Sequence, residues 1–157
     1  MPIHIRPFQS GDLARLKSLT IEGFIGVSID HGIEEQFGQI HGHDWRWRKA
    51  RHIEDDVRRD AAGVFVAEEN GEVVGYVTTW LDQEGGIGNI PNLAVAASHR
   101  NQGLGRKLLE HALDHFRAAG LTHAKIETLA QNAIGNHLYP SLGFVEVARQ
   151  VHFVAKL

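Results

Sequence analysis

The stretch Arg100-Asn-Gln-Gly103-Leu-Gly105 decides the fold, because it lies between the apolar run Leu93-Ala94-Val95 and an amphipathic segment from Leu104 to Ala119. That order predicts a strand, a glycine turn and a helix. Glycine has no Cβ, so the turn can be sharp and can approach a ligand closely, leaving several amides at the helix start unpaired. Such amides, together with the positive end of the helix dipole, favour a phosphate.

The residues around this loop exclude two well-known kinds of phosphate-binding loop. Arg100 and Arg106 add positive charge at its rim. A P-loop would continue with Gly-Lys-Ser/Thr, whereas Gly105 is followed by Arg106-Lys107-Leu108. A dinucleotide-binding fingerprint would place three glycines after an early strand, and this loop has two and lies late in the chain. The alternative is a tight turn with a closely packed helix and no ligand.

A second motif follows the apolar run Ala124 to Leu129, and its sequence is Asn132-Ala-Ile-Gly-Asn-His-Leu-Tyr139-Pro-Ser-Leu-Gly143-Phe144. Together the two motifs resemble the GNAT family of acetyl-CoA-dependent N-acetyltransferases. The first matches that family's Arg/Gln-x-x-Gly-x-Gly/Ala loop and the Leu-Ala-Val before it. The second matches its Asn followed by Leu-Tyr and then Gly-Phe. The close match extends from about Leu93 to Phe144.

The resemblance implies an α/β (α+β) GNAT fold, in which helices flank both faces of a mixed sheet. The two central strands of that sheet splay apart, and the pantetheine of acetyl-CoA lies in the opening. Acetyl-CoA is the implied co-substrate, and a backbone N–H of the strand before the glycine loop would hold the oxyanion. The implied cofactor-binding residues are Leu93, Ala94, Val95, Arg100, Asn101, Gln102, Gly103, Leu104, Gly105, Arg106, Asn132 and Tyr139.

The same resemblance assigns the chemistry of the transfer. Tyr139 matches the general acid that protonates the departing thiolate, and the alternative for it is a helix tyrosine with its ring in the core. Asn132 either contacts the pantetheine or caps the short helix, and the two roles are compatible. Pro91 and Asn92 occupy the place where some members carry a basic glutamate.

Glu127 is the better candidate for the general base. Its separation from Asn132 and Tyr139 is that of the proposed basic glutamate of the bacterial ribosomal-protein alanine acetyltransferases. A solvent-facing carboxylate is the equal alternative for Glu127, and water could also remove the proton. The sequence therefore leaves the base open.

The acceptor is expected to be an amine, either on a small molecule or on a peptide or protein. The segment before the first hairpin and the loop Asp82 to Gly88 should bind it. The residues suited to a cationic amine and its apolar walls are Asp30, Glu34, Glu35, Asp44, Trp45, Trp47 and Trp80. The alternative for these residues is structural, with the carboxylates solvated and the tryptophans packed in the core. For the whole chain, the alternative is a non-catalytic sensor that binds acyl-CoA.

Length and composition predict one domain over residues 1–157, with 43% apolar residues and no run approaching the roughly 20 needed to cross a bilayer. No signal-peptide pattern is present, which predicts a cytoplasmic protein. Without cysteine there is no disulfide, thiolate metal site or cysteinyl acyl-enzyme. A net charge of −3 argues against nucleic acid. We expect no metal at His41, His43 and Asp44, and leave open whether the chain forms a homodimer.

Periodicity predicts the remaining elements. A first helix would be capped by Ser10 or Asp12, and His111 and His115 would lie on the surface. A hairpin turns at Asn70-Gly71, the strongest short hairpin signal. Strands are predicted over 3–6, 63–69, 72–81, 90–95, 124–129 and 144–157, and helices over 13–19, 45–60, 104–119 and the second motif, with short helical pieces in 23–42.

Overall fold

The computed structural model describes residues 2–157. Within that range, no helix is both long enough and apolar enough to cross a bilayer. The strands and helices are β1 His4–Pro7, α1 Leu13–Gly23, α2 Ile29–Phe37, α3 Trp45–Asp60, β2 Phe65–Glu69, β3 Glu72–Val77, β4 Trp80–Asp82, β5 Ile87–Ile90, β6 Leu93–Val95, α4 Leu104–Ala118, β7 His123–Ile126 and α5 Ala133–Ser141.

The strands form two sheets. The larger has the order β1-β2-β3-β6 and is antiparallel throughout. The smaller has the order β4-β5-β7, in which β5 and β7 run parallel. The predicted hairpin joins β2 to β3, and both of its turn residues are left-handed, Asn70 with φ 52° and Gly71 with φ 78°. This turn type matches the twist of the flanking strands, so the local sequence sets their pairing.

The two sheets separate where two predicted strands break. Thr78 and Thr79 interrupt the predicted strand 72–81, and Pro91 and Asn92 interrupt the predicted strand 90–95. Proline has no N–H to donate to a ladder, which explains the second break. The last pair of β5 and β7 is Ile90↔Ile126, and beyond it β6 pairs only with β3. The predicted central splay is therefore confirmed.

Helices cover both faces of the larger sheet. Gly75 of β3 faces α4, since a Cβ there would stand 3.1 Å from Leu108 Cδ1. The next residue, Tyr76, faces α1, and its hydroxyl lies 2.6 Å from Thr20 Oγ1. Consecutive strand residues point to opposite faces, so α1 and α4 sandwich the sheet as predicted. The buried face of α4 is Leu104, Leu108, Leu109, Ala112 and Phe116.

Asp12, one of the two predicted caps of the first helix, holds the N-cap position of α1, but its side chain makes no capping hydrogen bond. A short 3₁₀ turn, Ser10–Asp12, precedes the helix. The carboxylate of Asp12 instead accepts two hydrogen bonds from Arg6, at 2.8 and 3.0 Å, and one from the Gln9 amide. The Arg6 guanidinium lowers the pKa of Asp12 below its ordinary value. The side chain of Asp12 thus ties the 3₁₀ turn to β1, while Asp12 itself stands at the N-cap position of α1.

The predicted strand over residues 144–157 is also wrong, because the structure places no strand there. The apolar residues after Phe144 are exposed to solvent, with Val147 93% and Phe153 91% exposed. An alternating pattern sets a strand register only when one face is buried. Here neither face is buried, so the alternation does not fix a pairing.

The two histidines of α4 are partly buried, which corrects the prediction of surface positions. Both imidazoles meet Phe65 of β2 edge to face, with ring centroids 4.5 Å away for His111 and 5.0 Å for His115. Burial of His111 lowers its pKa. These rings extend the contact between α4 and the larger sheet.

Candidate active site

The glycine loop forms the start of α4. After β6, a 3₁₀ turn over Ala97–His99 leads into the loop, and Gly103 is the N-cap of α4 with φ 78°. Asn101 is also left-handed, with φ 61°. Among residues 2–157, no acceptor takes a hydrogen bond from the amides of 101 to 106, and the first helical bond runs from Lys107 N to Gly103 O. These free donors lie where the sequence predicts a phosphate site, and we call this row of amides the cradle.

The cradle has room for a ligand on its outer side. A Cβ built on Gly103 would meet no protein atom within 4 Å. The space is therefore open, and the backbone at this position can approach an anion closely. A Cβ on Gly105 would meet only Leu138 Cδ2, at 3.6 Å, so that position would accept an alanine without disturbing the fold.

The two rim arginines are each tethered beside the loop. Arg100 donates to the carbonyl of Glu22, the penultimate residue of α1, over 3.3 Å. Arg106 donates to Ser141 Oγ over 2.6 Å and so links α4 to α5. Asn101 and Gln102 are exposed, while the side chain of Leu104 is buried, leaving only its amide available. The cradle is thus positively charged.

Strand β6 offers two more amides that have no partner within residues 2–157. Thr78 N donates to Asn92 O, and Ala96 N donates to Val74 O, so these peptide groups face β3. Peptide groups alternate in direction along a strand. The N–H groups of Leu93 and Val95 therefore face the opening between the sheets, whereas that of Ala94 does not. Strand β6 is only about 10 Å long and connects the sheet break to the turn before the glycine loop.

Tyr139 lies in α5 with its ring against Gly135 of the same helix. A Cβ on Gly135 would stand 2.9 Å from Tyr139 Cε2, and the ring meets Phe144 edge to face at 6.1 Å. Its hydroxyl makes no hydrogen bond to any of residues 2–157, and burial raises its pKa above the ordinary value. The ring is therefore fixed by packing, while the phenol keeps its proton and remains free to donate it.

Asn132 caps α5, as one of its two predicted roles requires. Its Oδ1 accepts from the Gly135 amide at 3.2 Å, and its Nδ2 donates to Thr128 Oγ1 at 2.9 Å. Both side-chain groups are thereby engaged, and they hold the segment after β7 against the start of α5. The cap fixes the direction in which α5 leaves the sheet.

A cavity of about 650 Å³ opens at the break between the two sheets. Glu127 lines it, but its side chain is 73% exposed and pairs with Lys125 at 3.0 Å. The volume suits a small amine or the end of a peptide. Its lining residues are Lys49, His52, Asp55, Asp56, Arg58, Arg59, Trp80, Asn89, Ile90, Pro91, Asn92, Lys125 and Glu127.

Only Trp80 of the predicted acceptor residues lines this cavity. Glu34 accepts from the Trp45 amide at 3.3 Å, and Asp44 caps α3 through the Trp47 amide. Trp45 is buried and Trp47 is 40% exposed. Asp30 lies behind the cavity wall, 3.5 Å from His52, and Glu35 pairs with His31 at 3.6 Å.

Helix α3 supplies cavity residues that the sequence prediction missed. Lys49, His52 and Asp56 follow at intervals of three and four, which puts them on one helix face. Lys49 is only 8% exposed. The spacing was a usable signal, but in a helix as charged as Trp45–Asp60 it does not distinguish a cavity wall from a solvated face.

His43 and Asp44, at which we expect no metal, both contact the first turn of α3. The His43 ring stacks on Trp47 with centroids 3.4 Å apart, and Asp44 is engaged as the cap of α3. Across residues 2–157, no three His, Asp or Glu side chains are grouped so as to hold a metal ion.

Comparison with known proteins identifies the family of this chain. The model of the acetyltransferase (GNAT) family matches residues 23–144. The chain is 37% identical over 84 residues to the ribosomal protein bS18-alanine N-acetyltransferase of Escherichia coli, covering 52% of this chain and 54% of that protein. It is 38% identical over 90 residues to the L-amino acid N-acyltransferase MnaT of Escherichia coli, covering 55% and 52%.

A solved structure is similar over nearly the whole chain. The yncA protein of Salmonella typhimurium, solved with acetyl-CoA, has a TM-score of 0.68 and 25% identity, covering 94% of this chain and 82% of that one. The sequence matches are shorter, and the chain spans about half or less of the length of the curated relatives it matches.

Proposed function

This chain belongs to the acetyltransferase (GNAT) family, and from that premise we propose that it transfers the acetyl group of acetyl-CoA directly to an amine. The observation that carries the proposal is the row of amides from Asn101 to Arg106 at the start of α4, which have no partner in the described part of the chain. They suit a pyrophosphate. The open space at Gly103 supports the fit, because a ligand can reach the backbone there.

The cofactor would extend from the cradle along β6 to the sheet break. Its thioester supplies an activated acetyl group. The free N–H groups of Leu93 and Val95 face the opening and would donate to the carbonyl oxygen as negative charge develops on it. Binding there would place the acetyl carbon beside the cavity under α3.

Tyr139 is the proposed general acid. The amine nitrogen forms a bond to the acetyl carbon, the C–S bond breaks, and the sulfur takes the phenolic proton. The hydroxyl has no competing hydrogen bond within residues 2–157, so its proton is available. The nitrogen also has to lose protons, and Glu127 and water are the two candidates from the sequence to accept the first.

The acceptor proposed is an amino acid or a protein N-terminus. The relatives named above act on L-amino acids and on an alanine of a ribosomal protein. The cavity contains both carboxylates and cations, which suits a substrate with an amine beside a carbonyl or carboxylate.

CoA release tests the proposal. The protein is incubated with acetyl-CoA and, separately, L-amino acids, an alanine-initiated peptide, a lysine peptide, polyamines and aminoglycosides, and free thiol is measured with a thiol reagent. Amine-dependent release supports the transferase. Binding of acetyl-CoA with no release for any amine would instead indicate a sensor.

A further inference from the structure

A single carboxylate connects helix α3 to the break between the sheets. Asp56 Oδ2 accepts hydrogen bonds from Thr78 Oγ1 at 2.9 Å and from Asn92 Nδ2 at 2.6 Å. Thr78 follows β3 and Asn92 precedes β6. Asn92 N also donates to Thr78 Oγ1 at 3.0 Å. The orientation of the carboxylate is therefore fixed by both sides of the break.

The other oxygen of this carboxylate is available to a ligand. Asp56 lines the cavity, and its Oδ1 makes no hydrogen bond within residues 2–157. Within that range, the one fully buried side-chain nitrogen or oxygen without a partner is His115 Nε2, so Oδ1 keeps some solvent exposure. Since Asp56 lines the cavity, Oδ1 is left to accept from a ligand there, and an ammonium group is a matching donor.

Asn92 also separates this carboxylate from the nearest buried cation. Lys49 Nζ donates to Asn92 Oδ1 over 2.7 Å, so the amide bridges the ammonium and the carboxylate. Burial lowers the pKa of Lys49 to about 8 and raises the pKa of Asp56 above its ordinary value. A carboxylate shifted toward neutral pH is a better proton acceptor than an ordinary one.

The other charged groups facing the cavity have partners of their own. His52 lies 3.5 Å from Asp30 of α2, and burial lowers its pKa. At the β7 side Lys125 pairs with Glu127, and on α3 the Arg59 guanidinium stacks over Trp80 at 4.6 Å.

Asp56 and Glu127 also differ in how firmly their carboxylates are held in place. Glu127 is largely exposed, whereas Asp56 is held directly against the residue that precedes β6. Of the two carboxylates, Asp56 is therefore the one fixed beside the strand whose amides face the opening.

On the basis of the proposed function, we infer that Asp56 is the general base, whose Oδ1 receives the acceptor's ammonium and takes one proton from it. The neutral amine then attacks the acetyl carbon beside β6. The nitrogen loses its second proton as the amide forms. One of the two protons restores Tyr139 after the sulfur has taken its phenolic proton, and the other is released to solvent through Asp56.

The test is the pH profile of kcat/KM with a responsive amine, for the wild type and Asp56→Asn. The variant keeps the side-chain size and an acceptor oxygen for Thr78 but removes the basic group. We expect kcat/KM near pH 7 to fall roughly 100- to 10,000-fold. The deficit should shrink as pH rises toward the pKa of the amine, because the free amine no longer needs a base. The acetyl-CoA thermal shift should persist.

Asp114→Asn is the matched control, because Asp114 is an exposed aspartate of α4 that pairs with Arg117 at 2.8 Å and does not line this cavity. It removes the same charge and should retain the wild-type profile. If Asp56→Asn fails to fold, Thr78→Val replaces it. A carboxylate that accepts one hydrogen bond fewer has a higher pKa, so the rise of kcat/KM on the acid side of the profile, the acid limb, should move to higher pH. An unmoved acid limb would overturn the inference.

The outcomes separate this inference from the proposed function. A wild-type protein that turns over no amine refutes the transferase proposal, and the inference falls with it. If the wild type is active and Asp56→Asn keeps its kcat/KM and profile, only the role of Asp56 is wrong. Loss of the acid limb in Glu127→Gln, with the limb intact in Asp56→Asn, would assign the base to Glu127.

Discussion

The ring of Phe116 lies directly over the backbone of Gly88, since a Cβ at Gly88 would stand 2.3 Å from Phe116 Cγ. This contact joins the end of α4 to β5. The cradle lies at the start of the same helix, so the contact positions the cradle relative to the smaller sheet. The strands of one sheet form no ladder with the strands of the other.

Replacing Gly88 with alanine should therefore destabilise the protein. The added methyl overlaps a buried ring that has little room to move, and overpacking of this kind costs roughly 1–3 kcal/mol. Urea unfolding measures the change. Gly32→Ala is the control, because a Cβ in that α2 position meets no atom within 4 Å. Equal stability of the two variants would show that Phe116 moves aside freely.

Acetyl-CoA should raise the melting temperature of the wild type. Ligand at 100 times its Kd contributes roughly 2.7 kcal/mol. Gly103→Val should lose this shift, because its side chain fills the open face of the cradle and strains a residue with φ 78°. Gly105→Ala should keep it and should stabilise the helix by up to about 1 kcal/mol. Each shift is measured against the same variant without ligand, and a normal shift in Gly103→Val would place the phosphate elsewhere.

Tyr139→Phe should reduce kcat roughly 100- to 10,000-fold while leaving acetyl-CoA affinity nearly unchanged. The substitution keeps the packing on Gly135 and Phe144 but removes the proton that the thiolate would take. Steady-state kinetics and a direct binding measurement on the same variant separate the two effects. Weak binding with normal turnover would make Tyr139 a cofactor contact only, and unchanged turnover would mean that another group supplies the proton.

Lys49 should make stability depend on pH. Its pKa is about 8 in the folded chain and 10.5 in the unfolded reference. Between these values the unfolded state holds a proton that the folded state has lost, so the stability contributed by this group rises with pH. Below about pH 8 the buried charge costs on the order of 3 kcal/mol.

Lys49→Met isolates this effect. We expect the difference in unfolding free energy between the wild type and Lys49→Met to move in favour of the wild type from pH 7 to pH 10. Urea unfolding at both pH values measures that difference. A difference that stays constant would show that Lys49 has the same pKa in the folded and unfolded states.

Local sequence was sufficient for the elements that depend on neighbouring residues. The Asn70-Gly71 turn, the helix Trp45–Asp60 and the apolar face of α4 follow from backbone preference and periodicity, and the structure confirms them. Among residues 2–157, the unpaired amides of Gly103 to Arg106 follow as well, because every helix start leaves its first four donors without partners. The last predicted strand failed because alternation without a buried face selects no partner.

The sequence by itself determined the family and the glycine loop at the start of α4, since both depend on short continuous motifs. Only the tertiary structure brought Asp56 to Asn92, residues 36 positions apart, at the break between the sheets. In sequence, Asp56 is one carboxylate among many on a charged helix, and Pro91-Asn92 appears only to replace a glutamate. Their contact requires α3 to pack over the point where the sheets separate, and that packing is set by the burial of Trp45, Ala50 and Ile53 rather than by the polar residues themselves.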